Sequence, residues 1–476
     1  MTSEMDGQAW AFEQFAEVDL PDARLQRRLV AMAAGAARRP AGRVTAVFTE
    51  SSARQGAYDL LENRRVERQS MTEAVGGATA RRSSAHQYVF VSVDGTSLTV
   101  TDRTRRKGFG ALGTTQHSNR GLKVINAYAI EPSGVPLGLL DQQWWARRRR
   151  KKRWDHQRRP VAKKETRFWL QSIEAAAERL DEHGEGCRPW FVVDREGDNV
   201  SVLGLLASMG ALFTVRSNRN RSVQVLEGKS CLLDELGAEV PVDELELAVR
   251  GGPRRKARSA RMELRAKTVS LVLRDQLSGR VTRMDCWVVE SREVGTTPPG
   301  EKPLEWRLLT SHPVHNAQDA RRVVFSYAQR WKVEELHKTW KSGACNVESN
   351  QLRGFDRVAK WATIMAAVAS RIERIKVQSR EEPSLPASTE LTEYEIRALI
   401  LLKRKEKKRT EEIPNTMPTL GQATLWIAEL GGYTGKSSGG PPGSITIRRG
   451  LERIIPAAQI LEIQATEPEE DDSEMR

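Results

Sequence analysis

Three acidic residues, Asp94, Asp194 and Glu334, are the side chains of this sequence best suited to chemistry. Asp94 lies in VSVDGTS and Asp194 in FVVDREGD, each at the end of a predicted strand, and Glu334 lies on a predicted helix. Acids at the ends of neighbouring strands emerge side by side, and a helix crossing the sheet could bring Glu334 beside them. Three carboxylates in one pocket repel each other unless cations lie between them, so the set predicts divalent metal. Two metal ions about 4 Å apart would suit phosphodiester cleavage.

Other acids compete for these roles. VDGT could be a plain turn and DREGD could be a loop or a helix cap, so each acid alone decides little. Glu196, Asp198 and Glu335 lie close to the chosen residues in sequence. Glu335 leaves its helix about 100° away from Glu334, and Glu334 is therefore preferred.

The segment around Glu334, YAQRWKVEELHKTWK, carries a regular pattern of charge. On one long helix, predicted over residues 316–341, Tyr327, Arg330, Glu334 and Lys341 fall on one stripe, because their offsets return to within about 60° of one direction. The stripe would present a phenol, a guanidinium, a carboxylate and an ammonium together. A solvated face of an amphipathic helix would look the same.

The order of the predicted elements indicates an α/β fold. Three antiparallel strands, with turns at DGT and PSG, precede a helix, TRFWLQSIEAAAERL, and then strands alternate with helix. This is the order of an RNase-H-like mixed sheet, interrupted by a β-rich insertion at about 216–305. We predict four regions: a helical N-terminal domain at 1–75, the RNase-H-like domain at 76–375, a helical C-terminal domain at 376–461, and a disordered acidic tail at 462–476.

Charge indicates a polyanionic partner. The chain carries a net charge of +14, although its last fifteen residues hold seven acids and one Arg. Such a surplus favours nucleic acid. Eleven basic residues lie between Arg147 and Lys164, and a second basic run covers 253–267; each could contact DNA or form a solvated loop. The N-terminal module is predicted to expose Arg24, Arg27, Arg28, Arg38, Arg39 and Arg43, for DNA docking or merely for solubility.

Cysteine and hydropathy patterns exclude several classes of protein. The four cysteines have no CxxC spacing, which disfavours a zinc site or a disulfide framework and predicts reduced thiols in the cytosol. The N-terminus lacks the pattern of a signal peptide, and no apolar run of about eighteen residues could span a membrane.

The motifs VDGTSL, DREGD, WRLLTS and YAQRWKVEELHKTWKSG resemble those of bacterial insertion-sequence transposases of the DDE class, in the group with the Y-R-E-K signature that includes the Tn-five transposase. The resemblance extends loosely to GAYDLLEN and to LGG near the C-terminus. The basic segment after QQWWA departs from the family, and the N-terminal module matches only loosely.

The resemblance implies a catalytic site in which Asp94, Asp194 and Glu334 bind two Mg²⁺ ions, for which Mn²⁺ can substitute. It implies that Tyr327, Arg330 and Lys341 hold DNA phosphates and that Trp306 stacks on a flipped-out base. The implied activity is cut-and-paste transposition of double-stranded DNA through hairpin formation, by a homodimer joined through 376–461, in the bacterial cytoplasm at the nucleoid. Two alternatives stay open: an inactive DNA-binding inhibitor of transposition, and a nuclease without strand transfer.

Overall fold

Helices form the N-terminal part of the chain. The computed structural model describes residues 9–102, 107–112, 119–147, 159–225, 228–249, 256–275, 278–407, 412–414, 416–435 and 440–466. The second helix begins behind Asp22, whose side chain accepts a hydrogen bond from the amide of Arg24, and it buries one apolar face. The helices are α1 (Ala9–Phe15), α2 (Ala23–Arg38), α3 (Val44–Val47), α4 (Ser51–Glu62) and α5 (Arg68–Ser83).

Five strands form the centre of a mixed sheet. Strand β1 (Tyr88–Thr99) is antiparallel to β3 (Arg120–Ile130), which is antiparallel to β4 (Pro136–Trp145). On the other side of β1, β5 (Arg188–Val193) and β6 (Leu212–Arg216) run parallel to it. A short strand, β2 (Gly110–Ala111), pairs with β3, and helices α6 (Thr166–His183) and α7 (Val200–Ser208) connect β4 through β5 to β6. The RNase-H-like core is confirmed.

The two faces of β1 alternate in what they cover. Val91 and Val93 point toward the core beneath α6 and α7, whereas Phe90 points toward the opposite core. No turn interrupts the strand at DGT, because Asp94 pairs with Asn126 and the next two residues stay in register on β3. The predicted turn, and the placement of Asp94 at the end of a strand, are wrong.

The segment between β6 and β12 extends the same sheet. It begins with Ser217, and β12 (Glu305–Thr310) then returns to pair antiparallel with β6. The β-rich insertion is confirmed, although its strands continue the central sheet. Its elements are β7 (Ser222–Val225), β8 (Gly228–Cys231), α8 (Leu232–Gly237), β9 (Asp243–Val249), β10 (Arg258–Arg274) and β11 (Val281–Glu293).

The predicted helix at 316–341 is two helices. The chain forms α9 (Ala317–Ala328), turns at Gln329 and Arg330, and continues as α10 (Trp331–Lys341). Tyr327 and Glu334 therefore lie on different helices, and Arg330 is the N-cap residue of the second. Both residues of the turn keep right-handed backbone angles, which explains why the apolar periodicity in the sequence shows no interruption.

Long helices complete the molecule. They are α11 (Phe355–Glu381), α12 (Glu393–Lys405), α13 (Leu420–Leu430) and α14 (Ser444–Thr466). A single hydrophobic core joins them to the N-terminal helices and to one face of the sheet. The boundaries predicted after residues 75 and 375 fall inside α5 and α11, and α14 continues five residues beyond 461. Residues 467–476, most of the predicted tail, lie outside the described residues. None of the described helices combines the length and apolarity needed to cross a membrane.

Candidate active site

Strand register brings Asp94 and Asp194 together. Val93 of β1 pairs with Val193 of the parallel strand β5. Asp94 follows Val93 directly in sequence, and Asp194 follows Val193. Neighbouring strands lie about 4.8 Å apart. Alternation sends both aspartates toward the face occupied by Phe90 and α9, away from α6. Asp194 follows β5 and is the N-cap residue of a short 3-10 helix (Arg195–Gly197), and its carboxylate accepts a hydrogen bond from the amide of Glu196.

Arg330 links the third carboxylate to the first. Its Nη2 donates to Oε1 of Glu334 at 2.6 Å, and its Nη1 lies 3.5 Å from Oδ2 of Asp94. The guanidinium is buried with a side-chain exposure of 8%, whereas the Glu334 side chain is 39% exposed. Its Nε has no hydrogen-bond partner within the described part of the chain. Arg330 thus joins the first turn of α10 to β1 through Glu334 and Asp94.

The electrostatics of Asp94 reflect crowding by like charges. Burial, and then the charges of Asp194 and Glu334, raise the pKa of the Asp94 carboxyl to about 7, although Arg330 and the amide of Gly95 oppose the shift. A group with this pKa is only partly ionised near neutral pH. The three carboxylates therefore share one region in which negative charge is in excess.

The acids offer oxygen ligands of the kind that Mg²⁺ and Mn²⁺ prefer. A divalent ion among them would stabilise the charged form of Asp94, which burial and its neighbours now disfavour. Within the described residues, however, no three or more His, Cys, Asp or Glu side chains stand in an arrangement that could hold a metal ion. Arg330 supplies the positive charge between two of the three acids instead. The chemistry of the donor set, oxygen ligands from three acids, suits a divalent ion, and Arg330 now lies between Asp94 and Glu334.

The residues predicted to contact DNA surround the carboxylates. Trp306 and Tyr327 contact each other edge to face, with ring centroids 5.2 Å apart. Tyr327 is only 2% exposed, whereas Trp306 is half-buried. The guanidinium of Arg330 lies 5.9 Å from the Tyr327 ring, and Lys341 Nζ lies 3.2 Å from Oγ1 of Thr96 on β1. Tyr327 therefore lies in the protein interior, where it contacts Trp306 and Arg330.

Comparison with known families identifies two domains. The family described as Transposase DNA-binding matches residues 7–66, which cover α1 to α4. The family described as Transposase DDE domain matches residues 160–370, which include Asp194 and Glu334. This chain has the domains of a DDE transposase. It is an enzyme that acts on DNA, and its catalytic domain is of a kind that depends on divalent metal.

The acids that compete in sequence lie elsewhere in the transposase. Asp198 is buried and forms an ion pair with Arg221. Glu335 Oε2 lies 3.7 Å from Nζ of Lys376 on α11. Glu196 is exposed beside Asp194. Register and helix direction thus set Asp94, Asp194 and Glu334 apart from these neighbours.

The basic segments of the transposase differ in their surroundings. Arg147 is held by Glu165 at 2.5 Å, and residues 148–158 lie outside the described residues. In the second basic run, residues 256–267 are described, and from Arg258 they form strand β10, so the solvated-loop interpretation is wrong for this part. Arg24, Arg27, Arg28, Arg39 and Arg43 are exposed as predicted, whereas Arg38 is partly buried and donates to Gln459.

Sequence reasoning missed four residues of the site. Arg216 lies 5.8 Å from the Tyr327 ring, on the side of the tyrosine near Trp306. Asn126, Gln142 and His337 form buried hydrogen bonds beside Asp94. Asn126 is a single amide within the apolar run VINAYAI, and His337 follows Glu334 by three residues. Because buried polar groups need hydrogen-bond partners, an amide within a predicted buried strand could have identified Asn126 as a candidate site residue.

Proposed function

We propose that this DDE transposase belongs to the Y-R-E-K group, resembles the Tn-five transposase, and moves DNA by a cut-and-paste reaction. The observation that carries the proposal is the convergence of three carboxylates on one face of the sheet. Register supports the proximity of Asp94 to Asp194, and the Arg330 ion pairs support that of Glu334 to Asp94.

Asp94, Asp194 and Glu334 would hold two Mg²⁺ ions, with Mn²⁺ as a substitute. When bound, the ions would activate the attacking oxygen and stabilise the leaving oxygen at the phosphodiester. The carboxylates transfer no proton in this scheme. They would bind the metal ions, and the elements β1, β5 and α10 would keep them in position.

Arg330 has a second task in this proposal. Its guanidinium neutralises Asp94 and Glu334 in the DNA-free protein, and its Nε lacks a partner among the described residues. A DNA phosphate would offer that buried donor an acceptor, in the bidentate geometry that arginine favours. Lys341, near Thr96, would hold a second phosphate.

Tyr327 and Trp306 would act on DNA through their rings. The guanidinium groups of Arg216 and Arg330 both lie within 6 Å of the Tyr327 ring. Because it is almost completely buried, a direct phosphate contact requires the ring to become accessible; without that, it positions Arg330 and Trp306. Trp306 is the ring we assign to stacking on a base extruded during hairpin formation.

The flanking regions would select and pair the DNA ends. We assign recognition of the inverted repeats to the N-terminal domain, predicted at 1–75, where exposed arginines lie along α2. We assign dimerisation to the helices predicted at 376–461, because two ends must be cut and joined together. The catalytic domain is predicted at 76–375, with its insertion at about 216–305.

A supercoiled plasmid that carries the gene with its natural flanks provides the test. We expect nicking at the element's ends that requires Mg²⁺ or Mn²⁺, followed by hairpin ends and by joined products with a second plasmid. Cleavage without joined products would identify a nuclease without strand transfer. Binding without cleavage would identify an inactive inhibitor.

A further inference from the structure

A row of buried polar side chains crosses three strands beside the carboxylates. Asp94 on β1 lies directly opposite Asn126 on β3, and Asn126 lies directly opposite Gln142 on β4. Directly opposed residues of antiparallel strands place their side chains on the same face of a sheet. Asn126 is completely buried and Gln142 nearly so. The row therefore leads from the catalytic carboxylate into the core.

Helix α10 contacts this row through His337. His337 and Glu334 are three residues apart, so they share one side of the helix. Nε2 of His337 lies 2.8 Å from Nδ2 of Asn126, and Nε2 of Gln142 donates to Oδ1 of Asn126 at 2.8 Å. Because the Asn126 oxygen accepts from Gln142, its amide group donates to His337. His337 therefore accepts through Nε2 and carries its proton on Nδ1.

Two further contacts between α10 and the sheet are less specific. Trp340 packs edge to face on Trp144, and Lys341 reaches Thr96 through a long, flexible side chain. Apolar contact is non-directional, whereas a hydrogen bond requires a defined distance and angle. Among these contacts, the bond from Asn126 to His337 constrains the rotation and height of α10 most closely.

We propose that the chain of hydrogen bonds from Gln142 through Asn126 to His337 is a positioning device that sets where Glu334 lies relative to Asp94. The inference rests on the proposed function of those two carboxylates. His337 takes no part as an acid or base, since burial and then the charges of Lys341 and Arg330 lower its pKa to about 3. The imidazole is therefore neutral at neutral pH and keeps the acceptor that Asn126 requires.

The full-length protein with His337→Leu, which fills the space but cannot accept, tests the proposal. We expect nicking at saturating end DNA to fall by about 10–100-fold, as for other groups that orient metal ligands. The Mn²⁺ concentration for half-maximal nicking should rise, and Mn²⁺ binding to the DNA-free protein, measured by electron paramagnetic resonance, should weaken. Affinity for end DNA should stay unchanged. His337→Gln should restore most of the activity, because its amide oxygen can accept from Asn126.

Thr339→Val is the matched control. Thr339 lies on the same helix and is buried, but it donates to Glu373 on α11 and not to the row of polar side chains on the sheet. This variant should lose stability without a change in nicking rate or Mn²⁺ requirement. The double variant Asn126→Leu, His337→Leu should lose about as much activity as either single variant, because both changes remove the same hydrogen bond.

Two results would overturn the proposal. In one, His337→Leu and Thr339→Val lower nicking in equal proportion to their losses of thermal stability. In the other, His337→Leu keeps the wild-type rate and Mn²⁺ requirement. Failure of the proposed function looks different: the wild-type protein itself would then show no metal-dependent nicking.

Discussion

Two charge-rich regions of this transposase are built in opposite ways. On β10, four of the five basic side chains face carboxylates: Lys267 lies within 3 Å of both Glu235 and Glu239, and the others are Arg258, Arg261 and Arg265. At the active site, Asp94 and Glu334 share one guanidinium, that of Arg330, and Asp194 lies beside Asp94. Both regions look equally charged in sequence.

The difference shows which charges are available for function. Paired charges on β10 satisfy one another and add at most about 1 kcal/mol per exposed pair. Burial and the neighbouring carboxylates raise the free energy of the ionised form of Asp94, and a cation that binds beside it would lower that free energy. The imbalance, rather than the number of charges, distinguishes the binding site from the structural network.

The largest expected effect follows from removing a carboxylate. Asp94→Asn should abolish end nicking and also stabilise the metal-free protein above pH 7, by on the order of 1–3 kcal/mol, because a buried charge is lost. The folded-state pKa of Asp94 is raised to about 7, so its ionisation lowers stability as pH rises from about 4 through 7 and is fully unfavourable above that range.

Thermal unfolding in EDTA at pH 5 and pH 8 measures this effect. The wild-type protein should lose more stability between the two pH values than Asp94→Asn does. Equal pH dependence in the two proteins would show that the ionisation of Asp94 does not lower the stability of the folded protein. The carboxylates of the active site would then not differ from the paired charges on β10.

Arg330→Ala should have the next largest effect. It removes the cation shared by Asp94 and Glu334, so DNA positioning should weaken and nicking should slow, with residual activity because arginine binds no metal. Lys341→Ala should behave similarly but more mildly, since its side chain is more exposed. Nicking rates and end-DNA affinities measured together check this order. Complete inactivity of Arg330→Ala at saturating DNA and metal would contradict it.

Trp306→Ala should affect one step only. Stacking of a base on an aromatic ring is worth about 1–3 kcal/mol, so first-strand nicking should persist while hairpin formation falls. Gel analysis of nicked and hairpin products separates the steps, and circular dichroism checks folding. Loss of both steps in a folded protein would show that Trp306 shapes the site through its contact with Tyr327.

The smallest effect is expected on β10. Lys267→Ala should lower the free energy of unfolding by less than about 1 kcal/mol and leave DNA binding unchanged. DNA affinity measured over a range of salt concentrations provides the check. If the affinity of Lys267→Ala falls less steeply with salt than that of the wild type, by the amount expected for about one phosphate contact, the insertion binds the DNA backbone.

Sequence pattern predicted the framework of this fold because its causes are local. Period-two alternation located the main core strands, and the helical period located α6. The turn at DGT was wrong since pairing with β3 holds Asp94 and Gly95 extended, which outweighs the turn preference of an Asp-Gly pair. The break at Arg330 left no trace in the apolar period.

The site was predictable in part for the same reason. Asp94, Asp194 and Glu334 lie in recognisable motifs, and register brings them together. The link between Asn126 and His337 joins residues 211 positions apart, and no local pattern encodes such a contact. Likewise, the contacts of Tyr327 on α9 with Trp306 on β12 and Arg216 on β6 join residues that are distant in sequence.

The most direct test of the account compares Glu334→Ala with Glu335→Ala. Glu334 belongs to the carboxylate set, whereas its neighbour points toward Lys376 on α11. On a plasmid with the natural ends, Glu334→Ala should fold and bind DNA but nick in neither Mg²⁺ nor Mn²⁺, while Glu335→Ala should nick as the wild type does. If Glu335→Ala is inactive and Glu334→Ala cuts normally, the assignment of the active site is wrong.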